Sequence, residues 1–304
     1  MTVRLALTLL VAVPAAMAYP WPSDTQRWLH GVAVVVLLAL WIRWRGVFLT
    51  TLAARRIALW WRNLRGAGRA GEPAHLVTVV LRAESAVQAE LPLPLIAGYV
   101  DRYGIRCDKV RVTHRDRSGD RSTWISVTLG AVENLAALRA RSPRIPLRQT
   151  AALTARRLAD QLREGGWDVR VIDEIDEVEL PVPCGSTETW RGMRDEQGCT
   201  AAYAVTVDDQ LAERLASAAT HPADEVWTVL EITGAASKPE LAVGCALRTA
   251  SRSPSGSPVP GLVPQRGRHR RALDALHPQS CSRLEAKSAA VGRDLLDGLG
   301  QIRR

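Results

Sequence analysis

Two apolar runs stand at the head of the chain, LALTLLVAVPAAMAYP (residues 5–20) and LHGVAVVVLLALWI (residues 29–42). The segment 41–70 that follows carries seven arginines, four tryptophans and no acidic residue. Nothing else in the sequence restricts the fold as much. Each run is shorter than the roughly 20 residues usual for crossing a bilayer, and the second supplies about 21 Å of helix. Trp28, Trp41 and Trp44 extend it into the interface, while Arg27, Arg43 and Arg45 snorkel toward headgroups. The PWPSDTQR link between the runs fits a helical hairpin. AMA at 16–18 resembles a signal-peptide cleavage site, which would start the mature chain at Tyr19, but only Arg4 precedes the run. On either reading the arginines crowd the C-terminal flank of the second run. The positive-inside rule then places everything after Ile42 in the cytoplasm.

Beyond Gly46 the spacing predicts a helix. Val47, Thr50, Ala54, Ile57, Trp61 and Leu64 recur at alternating steps of three and four, leaving Arg55, Arg56, Arg62 and Arg65 largely off the stripe. Two readings fit. The helix lies on anionic headgroups, where each arginine contributes on the order of 1 kcal/mol, or it continues the second membrane helix and packs on a partner. Trp41, Arg43, Trp44, Arg45, Arg55, Arg56, Trp60, Trp61 and Arg62 are the membrane-interface candidates.

Net charge decides against nucleic acid. The total is +9, yet residues 1–71 hold nine arginines against Asp24 alone, and the other 233 residues hold 31 basic and 30 acidic side chains. A neutral body has no electrostatic footprint for a phosphate backbone. The cations are 37 Arg and only three Lys, a skew that points to genome composition rather than to a site. Five widely spaced cysteines, at 107, 184, 199, 245 and 281, form no C-x-x-C pair, so reduced and mostly buried thiols are expected.

The body reads as strands and helices in the order β-α-β-β-α-α-β-β-α-β-β. A strand at 75–83 precedes a short helix closed by Gly104. A hairpin turns at Ser118–Asp120, with Val110, Val112, Trp124 and Val127 as core candidates. Helices follow at 131–141 and 147–164, the second with Leu147, Ala151, Ala155, Leu158 and Leu162 on one face and ended by Gly165 and Gly166. Strands at 167–173 and 200–207, a helix at 208–218 capped by Asp208 or Asp209, and a closing hairpin over 225–250 complete the set. No internal repeat is visible. The expected architecture is a membrane-anchored α/β (α+β) protein. Residues 1–46 form a hairpin of two transmembrane helices, about 3–20 and 27–45. A basic juxtamembrane helix (47–70) leads to a mixed-sheet cytoplasmic domain covered by helices (71–251). A Pro/Ser linker (252–264) and a basic, largely irregular tail (265–304) with one helix near 288–302 follow.

The search for chemistry returns little. Thr113–Asp116 contains the His-Arg-Asp of a kinase catalytic loop, but no Gly-rich loop or Asp-Phe-Gly accompanies it, so it reads as hairpin surface. The six histidines lack metal-ligand spacing. Asp173, Glu174, Asp176, Glu177 and Glu179 could gather a divalent ion, but a linear run suits a solvated loop better than a convergent site. No cofactor is expected. Trp190 and Arg191 in ETWRGM, with Arg266, Arg268 and Arg270 in RGRHRR, are candidates for docking a partner.

The segments GVFLTT (46–51), GYVDRYGIRCDKVRVTHRD (98–116), WISVTLGAVENLAALRARSPRIPL (124–147), ETWRGM (188–193), AAYAV (201–205) and GRHRRALDAL (267–276) resemble the EccE family of type VII (ESX) secretion systems. The likeness is greatest to the ESX class linked to iron and zinc acquisition, and it fades after about Arg283. It implies a non-enzymatic structural subunit in the inner (plasma) membrane, N-terminus and body cytoplasmic, within a higher-order oligomer. Its implied partners are EccB, the ATPase EccC, EccD and membrane lipid, in an assembly exporting WXG100, PE and PPE proteins. The residues alone leave another class open, a membrane-anchored transferase working at the cytoplasmic leaflet through the 173–179 carboxylates.

Overall fold

The structure, a computed structural model, describes residues 43–44, 47–65, 73–85, 90–142, 144–172, 185–250 and 256–300, with short groups of residues between 8 and 34. The chain divides into two compact units, Met1–Ala67 and Gly68–Arg304.

In the first unit the described positions between 8 and 34 are helical, and no described helix is long and apolar enough to cross a membrane. Most of the expected spans at 3–20 and 27–45 lies outside the described residues. Arg43–Trp44 (β1) pairs antiparallel with Val47–Phe48 (β2), so the chain is extended here rather than helical. Gly46 between them disfavours helix, and the flanking Trp, Val and Phe favour strand. Helix α1 runs from Leu49 to Arg65, two residues later than the sequence suggests, without an acidic residue in its first turn.

The second unit is a twelve-stranded sheet with most helices, the last one included, on one face and residues 269–286 on the other. Its main path is β7-β3-β6-β5-β11-β12-β10-β9-β8. These strands are β3 (Leu76–Ser85), β5 (Ile105–Arg117), β6 (Asp120–Gly130), β7 (Trp167–Ile172), β8 (Thr187–Glu188), β9 (Met193–Asp195), β10 (Gly198–Val205), β11 (Glu225–Ala235) and β12 (Lys238–Thr249). The short β4 (Asp101–Arg102) pairs with β5, β13 (Leu262–Pro264) with β10 and β14 (Ala289–Ala290) with β12.

A mixed sheet was expected, but every described strand pair is antiparallel. The reason lies in two crossovers. Helix α2 (Leu93–Gly98) carries the chain from β3 to β5, two positions away in the sheet, and β6 fills the gap antiparallel to both. Helix α5 (Leu211–Ala219) does the same between β10 and β11, with β12 in the gap. Each half is thus a split β-α-β unit. The halves meet across β5 and β11, where Val112 faces Leu230. Arg117 and Ala235 close equivalent two-residue hairpins, opposite Asp120 and Lys238. The body is therefore a structural repeat with no sequence signature, because both copies need only alternating apolar residues and a crossover helix.

Alternation divides the core. Val110, Val112, Ile125, Val127, Leu230, Ile232, Leu241 and Val243 face the helices, chiefly α2, α3 (Leu135–Arg141), α4 (Leu147–Glu164) and α5. On α4 the expected stripe of Leu147, Ala151, Ala155, Leu158 and Leu162 is buried, and Gly165 follows its last turn. Gly104 does not end a helix. It sits at φ 70 beside Tyr103 at φ 57, in the turn joining β4 to β5. Nor does Asp208 or Asp209 cap α5: Gln210 precedes it without a side-chain cap, and Asp208 binds Arg214 at 2.6 Å.

On the opposite face Val80, Trp124, Trp227, Val229, Ala242 and Ala246 meet α6 (His269–Leu276) through Ala272, Leu273, Ala275 and Leu276. Trp124 and Trp227 stack at 5.8 Å. Gly244 allows this approach, since a Cβ there would come within 2.8 Å of Leu276 Cδ2. Residues 265–300, read from sequence as a mostly irregular tail, thus belong to the body's compact unit and its core. The last helix, α7 (Arg293–Gly300), buries Leu296 and Leu299.

Candidate functional site

The membrane-interface candidates separate into those described and those not. Trp41 and Arg45 lie outside the described residues, Arg43 and Trp44 form β1, and Arg62 takes its place in α1. Along α1, Arg55 is half-buried and Arg56 exposed. Ile57, Trp60 and Trp61 are 57%, 60% and 47% exposed, and the two indoles meet edge to face at 5.6 Å. The stripe expected to bury thus keeps its largest apolar groups outward. Covering each would contribute about 1.5–3 kcal/mol.

The five partner-docking candidates, far apart in sequence, come together at one end of α6. That helix opens with Arg268, Arg270 and Arg271, the wrong sign for a helix N-terminus. Two carboxylates offset them. Glu188, 3% exposed, accepts the Arg270 backbone N–H at 3.3 Å, and Glu285 forms ion pairs with Arg268 at 3.5 Å and Arg271 at 2.7 Å. The Arg270 guanidinium donates to the Ser186 carbonyl at 2.9 Å, and Gly267 N–H to the Trp190 carbonyl at 3.3 Å. ETWRGM and RGRHRR are thereby fastened to each other. In the first, Thr189 Oγ1 bonds the Gly192 carbonyl at 2.7 Å. Any Cβ at Gly192 would strike Cys199 Sγ at 2.7 Å and the Thr200 carbonyl at 2.8 Å. Trp190, Arg266, Arg268 and Arg270 are half-buried and Arg191 is exposed.

His269 anchors this end from inside. It is fully buried and accepts the Ala202 N–H on Nδ1 at 3.1 Å, which leaves the ring proton on Nε2. Burial, more than the nearby Arg266, lowers its pKa to about 4 and keeps it neutral.

A second polar constellation was not foreseen. Lys109 and Arg111 on β5 and Glu231 on β11 sit fully inside, under residues 277–284. Arg111 Nη2 donates to Glu231 Oε2 at 2.5 Å, with Lys109 Nζ 3.9 Å from the same oxygen. Backbone carbonyls meet most of the remaining donors, though Arg111 Nε has no partner among the described residues. Lys109 donates to the carbonyls of Ser280 (2.9 Å) and Ser282, and Arg111 to those of His277 (3.0 Å) and Ser282 (2.8 Å). Glu231 accepts the Leu284 N–H at 3.3 Å. Arg283 clasps Asp108 at 2.7 Å at the rim. Burial, then Arg111, brings the Lys109 pKa down to about 7. The alternation KVRV and LEI reads in sequence as strands with a wet face. Only the returning C-terminus makes that face dry.

The His-Arg-Asp run lies along β5, where His114 Nδ1 bonds Thr123 Oγ1 at 3.0 Å and Asp116 pairs with Arg121 at 2.8 Å. Thr113 and Asp116 are buried, so it is an inner hairpin surface rather than an outer one. The acidic run 173–179 lies outside the described residues. Among the described residues no group of His, Cys, Asp and Glu is placed to hold a metal. Cys107, Cys199, Cys245 and Cys281 are buried free thiols, and burial pushes Cys107 and Cys245 up to about 12.

Comparison with known proteins gives these features a context. An ESX-3 secretion system protein EccE3 of Mycolicibacterium smegmatis is 50% identical over 291 residues, covering 96% of this chain and 92% of that protein. The chain belongs to the EccE family. Two EccE3 proteins of Mycobacterium tuberculosis strains, CDC 1551 / Oshkosh and H37Rv, are 45% and 44% identical over 305 residues, each covering 97% of this chain and 90% of the relative. The family described as "Putative type VII ESX secretion system translocon, EccE" matches residues 117–205. That EccE block runs from the end of β5 through α3, α4 and β7 to β10, and includes ETWRGM. The resemblance carried by the quoted segments is borne out, together with the ESX-3 class.

Proposed function

We propose that this chain is a non-enzymatic structural membrane subunit of an ESX-3-type secretion complex. It braces EccB, the EccC ATPase and EccD in the plasma membrane, with its N-terminus and body cytoplasmic, and supports the protein export on which iron acquisition depends. The observation that carries the reading is the end-to-end likeness to EccE3, which spans 96% of this chain and 92% of the relative. The geometry supports it. The buried ions Lys109, Arg111 and Glu231 are paired with one another and with backbone, which suits a scaffold. The outward groups are an arginine-tryptophan helix at 49–65 and the Trp190–Arg191 loop, both suited to surfaces that other molecules cover.

A tagged full-length chain, solubilised in mild detergent, is expected to bring down the other membrane subunits. Deleting it is expected to stop export of ESX-3 substrates and growth under iron limitation. Trp190→Ala with Arg191→Ala is expected to lower the amount of co-purifying subunits while the body melts at its parental temperature. A chain that purifies alone, from cells whose export survives its deletion, would overturn the reading. A single polar substitution that abolished export from a fully assembled complex would favour an enzyme instead.

A further inference from the structure

We infer that the outer face of α3 and α4 is a second membrane contact, one that takes an anionic lipid surface. The body's near-zero net charge conceals a segregation. From Asn134 to Ala159 there are six arginines, Arg139, Arg141, Arg144, Arg148, Arg156 and Arg157, and no acidic residue. All six are exposed, and none pairs with a carboxylate among the described residues. The next acid along, Asp160, is taken by Arg163 at 2.7 Å.

The β4–β5 turn is held beside this face. Asn134, at the start of α3, accepts the Arg106 N–H at 2.8 Å and donates to the Arg106 and Gly130 carbonyls. That turn presents Tyr103, 52% exposed, left-handed at φ 57, and stacked between Arg102 (5.1 Å) and Arg157 (5.0 Å). Tyr99 donates to Gln161 at 3.0 Å, and Gln161 donates to Tyr103 at 3.3 Å. An aromatic ring held outward in a strained conformation is the sort of feature that function maintains. Ile145 and Leu153, 48% and 44% exposed, stand among the arginines.

Guanidinium groups and isolated aliphatic side chains along two helices and their link, with an exposed tyrosine on the neighbouring turn, are the elements of a surface that rests on headgroups. Chain length argues for lipid over an acidic protein. The seven residues between Arg65 and Pro73 reach at most about 25 Å when fully extended. A body tethered that closely meets the bilayer at high effective concentration, so a weak attraction suffices. This last step rests on the membrane-anchored reading of the N-terminus.

The body, residues 68–304, is a compact unit with its own core and is used for the test. It is expected to co-sediment with vesicles of equimolar phosphatidylglycerol and phosphatidylcholine, to ignore phosphatidylcholine alone, and to be released by raised salt. Arg148→Gln, Arg156→Gln and Arg157→Gln together are expected to weaken partitioning about 100-fold. A charge-matched control, Arg194→Gln, Lys238→Gln and Lys287→Gln, is expected to bind as the parent does. No binding to anionic vesicles, or equal loss in both triple variants, overturns the inference. Retention on a polyglutamate matrix without vesicle binding overturns it too and gives the face to an acidic protein. No other subunit is present in the assay, so failure here is distinct from failure to join a secretion complex.

Discussion

Replacing Glu231 with Gln tests whether the ions under the C-terminal segment hold that segment down. The change keeps the shape and removes, among the described residues, the only carboxylate within 4 Å of Lys109 and Arg111. Arg111 then remains a cation on a buried face, and Lys109, already down to about 7, loses the carboxylate that favours its charged form; their side chains are 0% and 1% exposed, with only carbonyl oxygens to answer them. Breaking a buried pair in this way costs about 3–5 kcal/mol, a large share of the roughly 5–15 kcal/mol that holds a domain together. For a body of this size the melting temperature should fall by roughly 6–20 °C. The loss should begin locally. Leu284 N–H and the Arg111 guanidinium are left to share one neutral amide oxygen where they had two carboxylate oxygens, so amides of 277–284 should exchange with deuterium at lower cost than those of β5 and β11. Calorimetry and hydrogen exchange on the body measure both effects. Replacing all three residues together, Lys109→Met, Arg111→Met and Glu231→Leu, should recover most of the loss, because well-packed apolar groups often equal or exceed a buried ion pair. A fall under about 1 kcal/mol for the single change, typical of exposed pairs, would show that water reaches the cluster and that the dry-face argument fails.

Acid should destabilise the body through two neutral histidines. His114 and His269 fall from 6.5 to about 4 on folding, mainly by burial, so their contribution is intact above pH 6.5 and is lost as pH drops toward 4. Each adds a slope of up to about 1.4 kcal/mol per pH unit in that window. His269→Asn, which keeps an acceptor for the Ala202 N–H, should remove about half the slope in a melting-temperature series against pH. Gly244→Val should cost about 1–3 kcal/mol in chemical denaturation, by forcing Leu276 off the sheet. Ser118 sits at φ 51 ahead of Gly119 at φ 95, so Ser118→Asn should stabilise the β5–β6 hairpin by about 0.5 kcal/mol. Equal or lower stability would show the turn to be relaxed already.

What could be read from sequence followed from local pattern. The α4 stripe, the Ser118–Gly119 turn and the closing hairpin each satisfy a periodicity or turn preference within twenty residues, and the structure contains them. What escaped depended on distance. Lys109, Arg111 and Glu231 alternate with apolar neighbours as any solvent-facing strand residues would, and what buries them lies at 277–284. Helix α6 was hidden because three arginines crowd its start, and the carboxylate that makes them tolerable, Glu188, is 82 residues from Arg270. The meeting of ETWRGM and RGRHRR was invisible for the same reason. The basic face of α3 and α4 escapes a net charge for another reason: over the whole body, local segregation cancels.

The C-terminal cover also has a consequence in time. Lys109 and its acceptor at Ser280 are separated by 171 positions. At a ribosomal pace of about 5–20 residues per second, β5 waits roughly 10–35 s for the segment that closes over it. Until then the middle of the sheet stands open to solvent. Leucines there would invite stray pairing during every round of synthesis. Lysine, arginine and glutamate keep the unfinished face wetted, and they become interior only when the last forty residues arrive.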